Sequence, residues 1–258
     1  MARYAWSRDY HDVLRGRLDR LVDWMQARHP EPFDVRAFVD TGPVQERVYA
    51  MHAGLGWIGK NTCLINGERG SWLLLGAVVC SLPLAIDSPA LDQCGTCTLC
   101  IEACPTGAFA APYQLDARKC ISYLTIEYRG SVPIEHRDRI GNHIFGCDVC
   151  QEVCPWNGSP VNADASWSAR SDVNLQHLAD LWRRSDEELA AFIGETAMTR
   201  SGVRGLRRNL AVALGNSGDS RAADILSDDR SDKTVSDPIV AEHIEWARRK
   251  LTGNQTGD

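Results

Sequence analysis

Cysteine spacing is the strongest chemical signal in this sequence. Eight of the ten cysteines lie between residues 91 and 157, in two runs that each end in Cys-Pro. The first run is Cys94-x2-Cys97-x2-Cys100-x3-Cys104-Pro105, and the second is Cys120 followed by Cys147-x2-Cys150-x3-Cys154-Pro155. This spacing is typical of proteins that hold two 4Fe-4S clusters, in which the fourth cysteine of a run reaches the other cluster.

Crosswise sharing therefore predicts two sets of four thiolates. The first set is Cys94, Cys97, Cys100 and Cys154, and the second set is Cys104, Cys120, Cys147 and Cys150. Zinc is the alternative, since paired CxxC motifs also bind it, but the tight first run suits a cluster better than a tetrahedral ion. The two cysteines outside the runs, Cys63 and Cys80, lie in apolar segments, and we interpret them as packing residues.

Composition excludes several classes of protein. The 258 residues are 44% hydrophobic and 24% charged, which is ordinary for a globular protein, and the net charge is −6. So acidic a chain is not a general nucleic-acid coat, although a local basic patch can still bind phosphates. The N-terminus lacks the apolar stretch of a secretory signal, and the longest apolar run falls short of the roughly 20 residues of a membrane span. We therefore expect a cytoplasmic protein.

The elements that must position the cysteines suggest an α+β fold in three parts. Residues 1–90 have the mixed pattern of an α/β domain: an amphipathic helix precedes short apolar runs at 37–39, 63–65 and 72–79, with glycines between them. Residues 91–157 form a ferredoxin-like domain. Residues 158–170 have the polar composition of a linker, and residues 171–252 are helical in pattern.

Seven segments resemble those of one family, the epoxyqueuosine reductases. They are RYAWSRDY, FVDTGPV, GLGWIGKN, GSW, CGTCTLCIEACPTGA, KCISYLTIEYRG and IGNHIFGCDVCQEVCPWN. The resemblance is close over residues 2–157 and looser beyond them. It implies a monomeric, cobalamin-dependent enzyme with two 4Fe-4S clusters, which reduces epoxyqueuosine to queuosine in tRNAs with a GUN anticodon, the last step of queuosine synthesis.

The same resemblance assigns roles to particular residues. Asp40 matches the family's proton donor, and an apolar run before it suggests that partial burial raises its pKa. From the local pattern alone, the favoured interpretation of Asp40 is a polar residue that caps the turn into Thr41, and the resemblance reverses that preference. The residues that match cobalamin-contacting positions are Arg3, Asp40, Gly59, Asn61 and Ser122, although many relatives carry His where Asn61 stands.

An arginine-rich segment near the C-terminus is the predicted tRNA contact. Residues 199–211 carry four arginines and no acid, and they resemble part of a HEAT-like repeat that the family uses to bind the anticodon arm. We predict that Arg204, Arg207 and Arg208 bind tRNA; a solvated helix face is the alternative. The acidic stretch from Asp219 to Asp237 is expected to face away from the RNA.

Two other functions remain open at this point. A ferredoxin-like electron carrier with a helical docking tail would neither bind cobalamin nor depend on Asp40. A reductive dehalogenase would share the cofactors, but the arginine-rich tail and the lack of an export signal speak against it. The resemblance also implies on the order of a hundred residues before Arg3. We therefore expect the cobalamin-binding domain of this chain to be N-terminally incomplete.

Overall fold

Short antiparallel strands and two helices make up the N-terminal third. The computed structural model describes residues 1–158, 164–170, 178–219, 221–227 and 236–253. Helix α1 (Tyr10–Arg28) begins after Asp9, whose carboxylate accepts the backbone N–H of His11 at 2.9 Å and so caps the first turn. The following elements are β1 (Val35–Phe38), α2 (Glu46–His52), β2 (Trp57–Ile58), β3 (Leu64–Ile65) and β4 (Ala77–Cys80).

The pairing of these strands differs from an α/β arrangement. Strand β1 pairs antiparallel with β4, and β2 pairs antiparallel with β3, so every sheet among the described residues has two strands. Only the end of the predicted strand at 72–79 is paired, and α1 has no fully buried residue. The mixed helix-and-strand class is confirmed, but the parallel pairing that α/β implies is not observed in the described part of the chain.

The cysteine-rich region contains short elements that follow the two runs. They are α3 (Leu99–Glu102), β5 (Phe109–Ala111), β6 (Gln114–Leu115), α4 (Ile121–Ile126), α5 (Ile134–Ile140) and α6 (Val149–Glu152). Helices α3 and α6 contact each other, and each one carries the second cysteine of a CxxC-x3-C run, Cys100 in α3 and Cys150 in α6. The proline after each last cysteine cannot continue a helix hydrogen-bond ladder, which turns the chain away from the thiols.

Helices dominate the C-terminal part, as predicted. They are α7 (Leu178–Arg183), α8 (Asp186–Ile193), α9 (Gly202–Gly215), α10 (Arg221–Ser227) and α11 (Pro238–Leu251). Ser185 and Glu188 form a capping box at the start of α8, and Asp237 caps α11 next to Pro238 at its first position. None of the described helices is both long and apolar enough to cross a membrane.

One hydrophobic core joins these regions. Helix α9 is buried from Leu206 to Gly215 and packs against α7, α8 and α11. The same core includes Ala5 from the N-terminus and Phe145 from the loop before the second cysteine run. The predicted linker is only partly described, and Arg170 within it donates its backbone N–H to Trp6 O at 2.9 Å. The helical part is therefore not an independently packed unit.

Candidate functional site

The first predicted set of thiols lines a common cavity. Cys94, Cys97, Cys100 and Cys154 border a space of about 90 Å³ that is also lined by Lys60 and Trp156. The contact between α3 and α6 brings Cys154 to the cysteines of the other run. This arrangement is what crosswise sharing requires.

The second set is gathered more deeply in the same region. Burial raises the pKa of Cys147 to about 12, with smaller contributions from Cys150 and Cys120. Burial also raises the pKa of Cys120, to which Cys150 and Cys104 add. These mutual effects mean that the four thiols lie within electrostatic range of one another. Because thiolates rather than thiols bind iron, assembly at this set must release protons.

The donor chemistry of both sets fits iron–sulfur clusters. Each set offers four thiols, and four thiolates complete a 4Fe-4S cluster. Among the described residues, no three His, Cys, Asp or Glu side chains lie close enough together to hold a single metal ion. Thiols that line a cavity can instead each meet a different iron of one cluster. The assignment of the eight cysteines as ligands remains a prediction.

Several polar groups hold the loops of the second set in place. Ala108 donates its backbone N–H to Cys104 Sγ at 3.3 Å, which is the kind of contact that tunes cluster potentials. Ser122 Oγ accepts the Cys147 N–H at 3.1 Å and donates to Cys147 O. The side chain of Ser122, predicted to contact cobalamin, is thus hydrogen-bonded to the Cys147 backbone. Cys63 lies beside Cys150, which lowers the pKa of the Cys63 thiol, and both Cys63 and Cys80 are half-buried.

Gly59 and Asn61 lie inside the protein, beside the thiols. A Cβ at Gly59 would come within 2.4 Å of the tip of the Ile65 side chain, so a larger residue here would require Ile65 to move. Asn61 is 3% exposed, and its amide donates to Cys150 O at 3.3 Å and accepts from Cys63 N at 3.1 Å. In this fold the two residues support the cysteine loops and have little exposed surface, and their contact with cobalamin stays a prediction.

Asp40 stands on an exposed turn at the end of β1. Its side chain is 64% exposed, so the partial burial expected from the preceding apolar run is wrong. Alternation along the strand is the reason, because Val39 points inward and Asp40 outward. Asp40 has a φ of 56°, and Thr41 donates its N–H to Val39 O at 2.6 Å across it, which makes a tight, strained turn.

Two side chains from the start of α1 orient the Asp40 carboxylate. Tyr10 donates its hydroxyl to Asp40 Oδ2 at 3.0 Å, and His11 Nε2 lies 3.4 Å from the same oxygen. The other ring nitrogen, His11 Nδ1, donates to Asp9 Oδ1 at 2.7 Å. With Nδ1 carrying a proton, Nε2 can share a second proton with Asp40. Burial, reinforced by Asp40, raises the pKa of Tyr10, so this hydroxyl stays a donor.

Arg3 lies on the surface near the second set of thiols. Its guanidinium stacks 4.4 Å from the centre of the Trp72 ring, and its backbone N–H donates to Asp148 Oδ2 at 2.7 Å. Arg3 and the GSW segment, both of which resemble the family, therefore meet beside the Cys147 loop. Of the five predicted cobalamin contacts, Arg3 and Asp40 are the two with exposed side chains.

Two of the three predicted tRNA-binding arginines are buried. Arg207 is 0% exposed and Arg208 is 2% exposed. Arg207 donates to the carbonyls of Trp182 and Arg184, while Arg208 donates to Tyr128 O at 2.6 Å and Gly130 O at 2.9 Å. Burial lowers the pKa of Arg208 to about 10. Neither side chain is available to RNA in this fold, because each is used to satisfy backbone carbonyls.

Exposed arginines nevertheless border a cleft at the start of α9. The cleft has a volume of about 160 Å³ and is lined by Arg129, Arg200 and Arg204, together with the first turn of α9. Arg200 pairs with Glu127 at 2.8 Å and Arg204 with Asp237 at 2.8 Å. Glu127 and, more weakly, Asp40 raise the pKa of Arg200, so this guanidinium lies within electrostatic range of the Asp40 turn. We call this the arginine cleft.

Comparisons with known proteins agree on one family. Residues 93–157 match a family model described as a 4Fe-4S double cluster binding domain, and residues 1–41 match one described as epoxyqueuosine reductase QueG. The curated epoxyqueuosine reductase of Xanthomonas campestris pv. campestris is 47% identical over 248 residues, covering 96% of this chain and 69% of the relative. The chain belongs to the epoxyqueuosine reductase family.

Solved structures of epoxyqueuosine reductases share the fold. One, in complex with an epoxyqueuosine-modified tRNA-Tyr stem loop, is 34% identical with a TM-score of 0.89, over 97% of this chain and 66% of that one. Another, from Bacillus subtilis with an aspartate catalytic loop swung out of the active site, is 34% identical with a TM-score of 0.84 over the same shares. This chain thus spans about two thirds of the length of these relatives.

Sequence reasoning about this epoxyqueuosine reductase missed four side chains near the candidate site. Tyr10 ends the RYAWSRDY segment and His11 follows it, directly after the helix cap at Asp9, but nothing local indicates that they meet Asp40. Lys60 and Cys63 follow the glycines of the GLGWIGKN turn, and their proximity to the thiols depends on long-range packing. Tyr10 and His11 could have been identified only if the pattern of β1 and its turn had predicted the direction of the Asp40 side chain.

Proposed function

We propose that this chain reduces the epoxide of epoxyqueuosine in tRNA, giving the cyclopentene of queuosine. The observation that carries the proposal is the Asp40 turn: an exposed carboxylate, oriented by Tyr10 and His11, in a chain with two sets of four thiols. The solved relative with an epoxyqueuosine-modified stem loop supports tRNA as the substrate. We expect a monomer that acts in the cytoplasm on tRNAs with a GUN anticodon.

The reaction consumes two electrons and two protons and releases the epoxide oxygen as water. Two clusters, held by the two thiol sets, and cobalamin would supply the electrons when bound. Surface is available to cobalamin at Arg3, Trp72 and the exposed Asp40 turn. The contribution of Gly59, Asn61 and Ser122 would be to hold the cysteine loops in place. The chain's own catalytic task is therefore to place a proton at the leaving oxygen.

Asp40 is the proposed general acid. To act as an acid, Asp40 must carry a proton when the epoxide opens, so its surroundings must help to supply one. A bound substrate and cofactor would bury Asp40, and burial favours its neutral form. His11 Nε2, held by the bond from Nδ1 to Asp9, is placed to share that proton and to return one after each turnover.

The arginine cleft is the proposed contact for the tRNA backbone. It gathers three exposed guanidinium groups on a chain whose net charge is −6, and a phosphate there would compete with Glu127 and Asp237 for Arg200 and Arg204. Phosphate contacts position a nucleic acid, and a modified nucleoside must be splayed out to reach an enzyme's reacting groups. Since Arg200 is within electrostatic range of Asp40, a backbone held at the cleft would place a splayed nucleoside near the acid.

Anaerobic reconstitution tests the proposal. The chain is loaded with iron, sulfide and cobalamin, analysed for iron and cobalt, and incubated with a chemical reductant and epoxyqueuosine-containing tRNA. We expect about eight irons per chain and conversion of epoxyqueuosine to queuosine, detected by mass spectrometry of the tRNA nucleosides. Full iron content without cobalt or product would contradict the proposal and favour an electron carrier.

A further inference from the structure

Lys60 is a buried cation beside the first set of thiols. It is 9% exposed and lines the cavity that Cys94, Cys97, Cys100 and Cys154 border. Its ammonium donates to Gly95 O at 2.7 Å and to Cys97 O at 2.9 Å. Among the described residues, no carboxylate forms an ion pair with it. Lys60 thus lies inside the protein with carbonyls as its hydrogen-bond partners. Its charge also reaches the exposed carboxylate of Asp92, whose pKa is lowered by hydrogen bonds from Tyr113 and Cys94 and, more weakly, by Lys60.

The backbone around Lys60 fixes the position of this charge. Gly59 allows a close approach to Ile65, and Lys60 O accepts the N–H of Tyr113 at 3.1 Å. The residue is therefore held between the turn after β2 and the hairpin of β5 and β6. A long, flexible side chain usually extends into water, whereas this one is directed at the carbonyls of the loop that carries Cys94 and Cys97.

Burying a cation without a carboxylate is costly, because carbonyl dipoles replace only part of its hydration. Four thiolates around an iron–sulfur core carry negative charge, and reduction adds one more. A fixed positive charge next to that core stabilises the reduced form more than the oxidised form, and net charge is one of the factors that set cluster potentials. The low dielectric of the interior strengthens the effect.

We infer that Lys60 is the counter-charge of the cluster held by Cys94, Cys97, Cys100 and Cys154, and that it raises the reduction potential of this cluster selectively. Both hydrogen-bond partners of this ammonium belong to the first run, and none of the second set of thiols borders the cavity that Lys60 lines. Lys60 thereby separates the potentials of two otherwise similar clusters. This inference depends on the two clusters and not on epoxide reduction.

The test is an anaerobic redox titration followed by electron paramagnetic resonance, on the reconstituted chain without tRNA. Lys60→Met removes the charge and keeps the length of the side chain. We expect the midpoint potential of one cluster to fall by at least 59 mV, which corresponds to a tenfold change in the equilibrium constant for one electron. The other midpoint and the iron content should stay the same.

Two control variants separate charge from packing. Lys60→Arg keeps the charge, so the potential should stay close to that of the wild type. Lys119→Met removes an exposed lysine next to Cys120 of the second set, where water screens the charge, and should shift neither potential.

An unchanged potential in Lys60→Met with full iron content would overturn the inference, and so would equal shifts of both clusters. If Lys60→Met does not retain iron, Lys60→Gln, which keeps an N–H donor for the loop carbonyls, is measured instead. In this variant too, an unchanged potential or equal shifts of both clusters would overturn the inference. Failure of tRNA turnover in the wild type, with the selective shift present, would contradict the proposed function and leave the role of Lys60 standing.

Discussion

Asp40 lies at the predicted position in the chain but is more exposed than predicted. The sequence predicts an acidic residue after an apolar strand, and the structure has it there. The expected burial is missing because the strand alternation ends with Val39 inside and Asp40 outside. The features that orient Asp40, its positive φ and its contacts with Tyr10 and His11, involve residues 30 positions apart. No local pattern encodes such a contact.

His11 is predicted to be a positioning residue for the acid. In His11→Gln, the link from Asp9 to Asp40 is lost while Asp40 itself remains. We expect kcat to fall by about tenfold, less than when an acid is removed, because a misplaced acid still donates. The dissociation constant for tRNA should not change.

Single-turnover kinetics and a tRNA-binding titration check this expectation. His29→Gln is the matched control, since His29 is an exposed histidine after the end of α1. Its kcat should equal that of the wild type. A wild-type kcat in His11→Gln would show that the orientation of Asp40 does not depend on this imidazole.

At the scale of elements, α9 shows the limits of charge patterns. Its arginines alternate with apolar residues in the sequence, which suggests a basic outer face. The structure buries Arg207 and Arg208 instead, because loop and helix-end carbonyls around α9 lack intrahelical partners and need donors. Composition cannot distinguish a phosphate-binding arginine from one that binds carbonyls. The helical nature of the segment, by contrast, follows from its local pattern.

Helix α11 contains a buried histidine that should make stability depend on pH. His243 is 0% exposed, accepts the Val132 N–H at 3.1 Å and donates from Nδ1 to Ile239 O. Burial lowers its pKa to about 4 from an ordinary 6.5. Below pH 6.5 the unfolded chain binds a proton that the folded chain does not. Stability therefore falls as the pH drops from about 6.5 towards 4, by roughly 1.4 kcal/mol per unit.

Chemical unfolding between pH 7.5 and 5 measures this effect. His243→Gln should be less stable than the wild type at pH 7.5 but should lose less stability on acidification. The difference between the two proteins should narrow by on the order of 2 kcal/mol at pH 5. Parallel pH profiles for the two proteins would contradict a neutral, buried His243.

The contact between α3 and α6 predicts which cysteines act together. Cys154→Ala should lose about four irons per chain. Adding Cys94→Ala should then cost no more iron, because both residues belong to the first set. Adding Cys150→Ala instead should remove the remaining cluster. Iron analysis of the two double variants decides the pairing, since a cluster confined to each run would give the reverse result.

For the molecule as a whole, local motifs predicted the chemistry better than the domain organisation. The Cys-Pro runs are specific over short distances, so the two thiol sets could be assigned from spacing. The shared core of Ala5, Phe145 and α9 joins parts that composition separates, and long-range packing of this kind leaves no periodic signal. Tertiary contacts likewise decide the antiparallel pairing of β1 with β4.

The arginine cleft should determine how tRNA binds to this acidic molecule. Arg200→Glu is expected to weaken binding and to reduce the slope of log affinity against log salt by about one or more, because fewer counterions are released. Arg249→Glu is a closely matched control. Each arginine is 61% exposed and pairs with a glutamate at 2.8 Å, but Arg249 lies on α11 and does not line the cleft.

Binding titrations at several salt concentrations compare the two variants. Arg249→Glu should bind tRNA nearly as well as the wild type, apart from the small effect of net charge. Equal losses in both variants would mean that the whole surface, and not the cleft, attracts RNA. Unchanged affinity in Arg200→Glu would place the tRNA contact elsewhere.

The most direct test of the account replaces the proposed acid itself. Asp40→Asn keeps the size and the polar contacts of the side chain but cannot supply the acidic proton. At matched iron content, we expect conversion of epoxyqueuosine to queuosine to fall by about 10² to 10⁴, with tRNA affinity unchanged. Asp34→Asn, an exposed carboxylate just before β1, should convert normally. Wild-type conversion by Asp40→Asn with both clusters present would contradict the central claim.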